Sequence, residues 1–296
     1  MKWGYKIMLG SRRTFLAVSV GSMLLMYGVF FLFPISFGLV GSFADWNPLK
    51  NQFTFVGFKN YIELAGDGLF WKSVANTMVF SAICTVATTV LGLVLAVLVS
   101  GVGRGKGFFK MIIYMPYITS IITISIVWRW IFLAQGGLLN NVIALFGGQG
   151  LDWLNSSSTV MPSLMIMTVW HDIGFALILF IAGISEISPS LYEASAIDGA
   201  SKLQAFRKIT VPMLTPTTAL VVVLNLITYI QVYDQVIALT KGGPGDASYT
   251  ASYYLFDKAL GFYRFGYASA TALILLVIIL ALSMLQMKLS SRTEAE

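Results

Sequence analysis

The chain is 296 residues long, 57% hydrophobic and only 11% charged, with a formal net charge of +6 and a mean hydropathy of +0.80. Soluble domains carry about 25% charged residues, so this composition excludes a water-soluble fold and points to an integral membrane protein. A single cysteine, Cys84, lies in the middle of an apolar stretch. It excludes a disulfide framework or a cysteine metal cluster within one chain, and reads as a small packing residue.

Six apolar stretches follow one another, at 15–40, 73–100, 109–133, 161–184, 214–238 and 266–287. Each is near the ~20 residues that cross a ~30 Å hydrocarbon core, which predicts an all-α polytopic protein with six transmembrane helices. Pro34 and Pro116 interrupt two of them, a break that a helix bundle tolerates because its neighbours satisfy the freed backbone groups.

Before the first stretch, Ser11-Arg12-Arg13-Thr14-Phe15-Leu16 has the look of a twin-arginine export signal. The long apolar run behind it lacks a small-x-small cleavage site, so it reads as a retained first helix with a positive anchor. Between the second and third stretches, Gly101-Val102-Gly103-Arg104-Gly105-Lys106-Gly107 imitates a phosphate loop. A Walker loop needs Ser or Thr after the lysine and a strand before it. Gly107 and membrane helices stand there instead, so the segment is a basic turn and the chain does not bind ATP itself.

The fourth stretch carries Trp170, His171, Asp172 and Phe175 in otherwise apolar surroundings. One His and one Asp lack the further ligands of a zinc site. Two readings stay open, a satisfied structural pair or part of a polar cavity, because ionisable groups within a membrane are costly and mark function by default. The fifth stretch carries Asn225, Thr228, Tyr229, Gln231, Tyr233, Asp234 and Gln235. At 100° per residue, Asn225, Thr228, Tyr229 and Val232 share one face. That face either lines a polar cavity, where aromatic rings and amides suit a sugar, or holds helices together.

The segment between these two stretches, about 186–212, is far longer than the two to eight residues that join neighbouring helices. It carries three acids and three bases from Glu186 to Lys208 and reads as a docking surface. Orientation follows from the short loops. Lys and Arg number twelve in the N-terminal segment, the 101–110 turn, the docking segment and the tail, against six in the alternate loops. The count places both termini and the docking segment in the cytoplasm. The net positive charge is therefore a matter of topology, and no nucleic-acid partner is called for.

Glu193-Ala194-Ser195, three residues, Gly199, nine residues, then Ile209-x-Val211-Pro212 resembles the EAA loop of ABC-importer permeases. Asp198-Gly199-Ala200 and the outer segment Thr240–Gly245 are similar to the carbohydrate branch and its first-subunit type, the maltose, multiple-sugar and glycerol-phosphate permeases. The resemblance implies a type I importer permease fold, one transmembrane domain over 1–296, in a bacterial cytoplasmic (inner) membrane. It implies ATPase coupling through Glu193, Ala194, Asp198, Gly199 and Ala200. Glu193 and Asp198 are expected to cap or orient a short helix, and Gly199 to hold a backbone geometry or close approach that a side chain obstructs. Sugar contacts are implied at Tyr117, the Trp170–Phe175 cluster and the Asn225/Thr228/Tyr229 face, with Tyr229 stacking on substrate.

The implied partners are a second homologous permease embraced by the first helix, two cytoplasmic ATPases that bind ATP and Mg, an external sugar-binding protein and membrane lipid. The chain itself has no cofactor, metal or catalytic residue. The rival reading is an ion- or proton-coupled secondary carrier with His171, Asp172 and Asp234 as a relay. Such carriers often show internal repeats, and none is evident in the sequence.

Overall fold

The computed structural model describes residues 2–293. Met1 and residues 294–296, the extreme termini that the charge count places in the cytoplasm, lie outside the described residues. Helices dominate, in the order α1 (Lys2–Tyr27), α2 (Phe33–Gly41), α3 (Lys59–Gly66), α4 (Gly68–Ser100), α5 (Lys106–Ile118), α6 (Ile121–Ile131), α7 (Leu138–Leu145) and α8 (Val160–Glu186). Then come α9 (Pro189–Ile197), α10 (Lys202–Ala205), α11 (Val211–Met213), α12 (Thr215–Ile230), α13 (Asp234–Leu239), α14 (Ala251–Phe256) and α15 (Phe265–Thr293). Four described helical segments are long and apolar enough to cross a membrane, or up to six spans if each of two bent pairs counts as one.

The bent pairs correct the stretches read as continuous. Within 109–133, α5 and α6 meet at 98°. Pro116 has no N–H to give the ladder and its ring crowds the preceding turn, so the helix ends at Ile118 and Thr119 turns extended. At the start of the fifth stretch, the helix Lys202–Met213 meets α12 at 65°. Pro216 cannot donate to the Pro212 carbonyl, and the Thr215 hydroxyl does so instead at 2.8 Å. The far end differs too: α12 stops at Ile230 and the short α13 follows, so 214–238 is not one rod.

The chain sorts into two compact units. The first runs to Gly66 and takes in Leu255–Ile274. Its opening span, Phe15–Gly41, buries none of its most apolar window inside the chain. It also holds an antiparallel hairpin that hydropathy did not foretell, β1 (Ala44–Asn47) against β2 (Gln52–Phe55), with Ala44 opposite Phe55 and Asn47 opposite Gln52. The local cause is a turn. The Asn47 side chain accepts the N–H groups of Leu49 and Lys50 at 3.1 and 3.2 Å, as Asx turns do.

The second unit comprises Asp67–Tyr254 and the chain from Leu275 onward. Its centre is the packing of α4 on α8, with α5 on α8 and α12 on α4. The buried face of α4 repeats Ser73, Thr77, Ser81, Thr85, Thr89, Gly92 and Ala96 at helical spacing. Small residues let backbones approach where lipid offers no hydrophobic drive for helix association. A Cβ on Gly92 stands only 2.6 Å from that of Ala176, and one on Gly174 only 2.4 Å from the Ile113 carbonyl. On the loop side, Asn140 fixes the connection into α8. Its amide donates to Ala134 and Leu151 at 2.9 and 2.8 Å, and its oxygen accepts from the Leu151 amide and Trp153 indole at 3.0 and 2.8 Å.

Candidate functional site

The docking segment is built from local signals. α9 ends at Asp198, and Gly199 takes φ +76°. The Ala200 N–H reaches Ser195 O at 2.9 Å and the Gly199 N–H reaches Ala196 O at 3.1 Å, the paired bonds of a Schellman motif. A Cβ on Gly199 meets nothing within 4 Å, so of the two reasons for a glycine it is the backbone geometry that holds.

Of the two acids expected to cap or orient the helix, only Asp198 stands at a cap position, the C-cap of α9. Ser188 is the N-cap residue of α9, Glu193 sits inside that helix, and Asp198 is at its C-terminal end, where a carboxylate opposes the helix dipole. The side-chain cap that does form belongs to the next helix. Ser201 Oγ accepts the Gln204 N–H at 3.3 Å while Gln204 Oε1 accepts the Ser201 N–H at 2.7 Å, a capping box legible as Ser-x-x-Gln.

Around this turn, Ser195, Asp198, Gly199, Gln204, Lys208 and Ile209 line a hollow of about 390 Å³. Glu193, Ala194 and Asp198 are exposed and Ala200 is half-buried, while Ile197 is 87% exposed. One tie runs back toward the spans, a 2.9 Å hydrogen bond between the Tyr192 and Thr210 hydroxyls.

Inside the bundle the structure brings His171 and Asp172, both buried, to the break between α5 and α6. His171 Nδ1 faces Asp172 Oδ1 at 2.5 Å, and Nε2 faces the Thr119 carbonyl at 3.2 Å. Thr119 is the extended residue that ends α5, so its carbonyl has no following helical turn to bond, and the histidine gives that helix end a partner. Both ring nitrogens face acceptors, and both bonds form only when both nitrogens carry protons. The contacts are those of a satisfied pair, which either of the two open readings accommodates. The ring also borders Tyr117 at 5.9 Å between centroids, and Tyr117 stacks on Phe175 at 4.9 Å.

This pairing predicts a graded loss. Asp172→Ala leaves the buried imidazole without its counter-charge, a class of change that costs about 3–5 kcal/mol. Asp172→Asn keeps an oxygen that accepts from Nδ1–H and loses less. Thermal unfolding of the purified protein measures both, and equal losses count against the hydrogen bond.

The remaining candidates separate. Asn225 and Tyr229 are buried and Thr228 is exposed, so the face expected to be shared is divided, Thr228 lying 100° around the helix from Tyr229. Tyr229 does not present its ring to open space. It packs edge-on against Phe80 at 6.2 Å, and its hydroxyl pairs with that of Thr88 at 2.9 Å. Asn225 Nδ2 is buried without a hydrogen-bond partner, as are the hydroxyls of Ser81, Thr85, Thr89 and Thr168. Trp170 turns away from this group, 44% exposed, with its ring against Trp128 at 5.5 Å. Thr88 and Thr119 were not foreseen: one threonine among several on α4 and a backbone carbonyl leave no distinguishing mark in a sequence.

Comparison with known proteins bears on this architecture. Residues 88–295 match the model of the family described as binding-protein-dependent transport system inner membrane component. The probable ABC transporter permease protein YurN of Bacillus subtilis is 34% identical, over 89% of this chain and 92% of its own. The multiple sugar-binding transport system permease protein MsmF of Streptococcus mutans is 33% identical, over 92% and 93%. A chain of a bacterial ABC transporter involved in the import of the acidic polysaccharide alginate shares the fold, with TM-score 0.83 and 23% identity, over 97% of this chain and 99% of that one. The chain thus belongs to the family of binding-protein-dependent transport system inner membrane components, as a permease subunit of an ATP-driven importer.

Proposed function

We propose that this permease carries a sugar or oligosaccharide across a bacterial cytoplasmic membrane, with both termini and α9–α10 on the cytoplasmic side. The observation that carries the coupling half of the reading is Ile197, 87% exposed at the tip of a rigidly capped helix–turn–helix. A large aliphatic side chain held out from a polar segment gains by burial under a partner, about 1.5–3 kcal/mol if fully covered. The partners that fit are two cytoplasmic ATPases, which hold the ATP and Mg. An external binding protein delivers the sugar, and a homologous second permease accompanies this chain. The first span, unburied inside the chain, is the segment that wraps that second permease. Relatives named for multiple sugars, starch degradation products and arabinooligosaccharides support the substrate class.

In this reading the sugar meets the half-buried Tyr117–Phe175 stack, with Thr228 on the accessible side and His171 and Asp172 behind. Asn225 and Tyr229 join when the helices rock, since a ligand drives a transition only by binding its two states differently. Tyr117→Ala and Asn225→Ala are each expected to lower uptake by about 5- to 30-fold, the worth of roughly 1–2 kcal/mol. Tyr229→Ala also removes a core ring, so Tyr229→Phe is the informative variant there. The experiment is uptake into vesicles holding internal ATP, with saturating binding protein outside. Uptake that follows a proton gradient and ignores ATP overturns the reading in favour of the secondary carrier.

A further inference from the structure

We propose that the long groove between α4, α5 and α8 is a binding site for one acyl chain of an anionic phospholipid, whose headgroup rests on Lys106 and Lys110. The groove encloses about 680 Å³ and is lined by apolar side chains, among them Ile83, Leu91, Leu95, Ile112, Pro116 and Trp170. Its α4 wall runs from Ile83 to Leu95, roughly 18 Å at 1.5 Å per residue. That is close to one leaflet, about half of a ~30 Å hydrocarbon core. The rims are open. Ile83, Leu91, Ile112 and Trp170 are 49%, 45%, 48% and 44% exposed, and all stand on segments long and apolar enough to lie within the membrane.

Charge decides the occupant. The groove's α5 wall begins at Ile112, and Lys106 and Lys110 stand just beyond it, one helical turn apart and half-buried. They share one flank of the helix, because residues four apart are neighbours. Neither lysine has a hydrogen bond or ion pair among the described residues. Arg104 lies in the turn next to them. An apolar trough of leaflet length that ends in unpaired cations complements an anionic lipid, with its phosphate at the end and its hydrocarbon inside. A sugar offers hydroxyls that this lining cannot bond, so the trough differs in chemistry from the polar His171–Asp172 cluster.

The test is native mass spectrometry of the full chain, purified with its co-expressed subunits, delipidated and then offered phosphatidylglycerol and phosphatidylcholine in competition. The wild type is expected to retain phosphatidylglycerol in preference. Charges beside a membrane contribute about fivefold each in affinity, so Lys106→Gln with Lys110→Gln should reduce that preference at least tenfold. Ala87→Phe, which puts a ring into the half-buried α4 wall, should abolish retention of both lipids. The double lysine variant leaves the groove lining untouched and decides the matter if Ala87→Phe fails to assemble. Equal retention of the two lipids by wild type and the lysine variant overturns the proposal. So does efficient crosslinking of Leu91→Cys to a span of the second permease, which would make the groove a protein interface.

Discussion

Gly199→Asp is expected to abolish uptake while the chain still reaches the membrane and folds. The position has φ +76°, a region that Asp enters more readily than most side chains but less readily than glycine. A second carboxylate beside Asp198, at the negative end of α9, adds several tenths of a kcal/mol. The turn is exposed and rests on two backbone bonds, so a loss of this size acts on a small cooperative unit and not on the whole bundle. The helix–turn–helix that presents Ile197 then opens. Uptake should fall more than tenfold, and the ATPase should either fail to co-purify or hydrolyse ATP without transport. Gly199→Asn isolates the charge, because Asn shares the tolerance of Asp for the left-handed region without its carboxylate, and should retain most activity. Normal uptake and normal ATPase retention in Gly199→Asp would falsify the coupling assignment.

A second large effect, on stability, is expected at Gly174. A Cβ there lies 2.4 Å from the Ile113 carbonyl oxygen and 2.7 Å from the Tyr114 Cα. Both are backbone atoms of α5, so no flexible side-chain tip can move aside, and α5 and α8 must separate. Overpacking by single methylenes costs about 1–3 kcal/mol. Gly174→Ala should therefore lower the Tm of the purified protein by several degrees, and Gly174→Val should leave little folded material in the membrane. Gly103→Ala is the control, since nothing lies within 4 Å of its added Cβ and its φ is ordinary. Equal stability of Gly174→Ala and Gly103→Ala would mean that the two helices are not in contact as described.

The spans and the docking segment were legible because they rest on local, one-dimensional signals. Long apolar runs mark helices in lipid, and the Glu193–Pro212 pattern is carried by residue identity at fixed spacing. The kinks were only half legible. Pro116 is visible as a breaker, but how far a helix bends depends on which groups take up the released carbonyls, and His171 does so from 52 residues away. The division of Asn225 and Tyr229 from Thr228 was hidden for another reason. A helical wheel gives angles around one helix, whereas burial depends on which neighbour covers which angle, and α4 covers the Tyr229 side. The hairpin at Ala44–Phe55 escaped because hydropathy sees four-residue strands as connection.

The hydroxyl-lined seam of α4 has a mechanical consequence. Among the described residues, Ser81, Thr85 and Thr89 of α4 and Thr168 of α8 commit their hydroxyls to no acceptor, whereas a welded interface would lock each to one oxygen. Residues of similar size recur about every fourth position along α4, so displacement along the axis trades one fit for a near-equivalent one. Resistance then comes from shape, with few bonds to rupture, and sliding of packed helices is a known mode of conformational change. The seam works as a bearing, and the stiff joints of the molecule lie where the polar groups are fully engaged, at the Asn140 knot and the His171–Thr119 clasp.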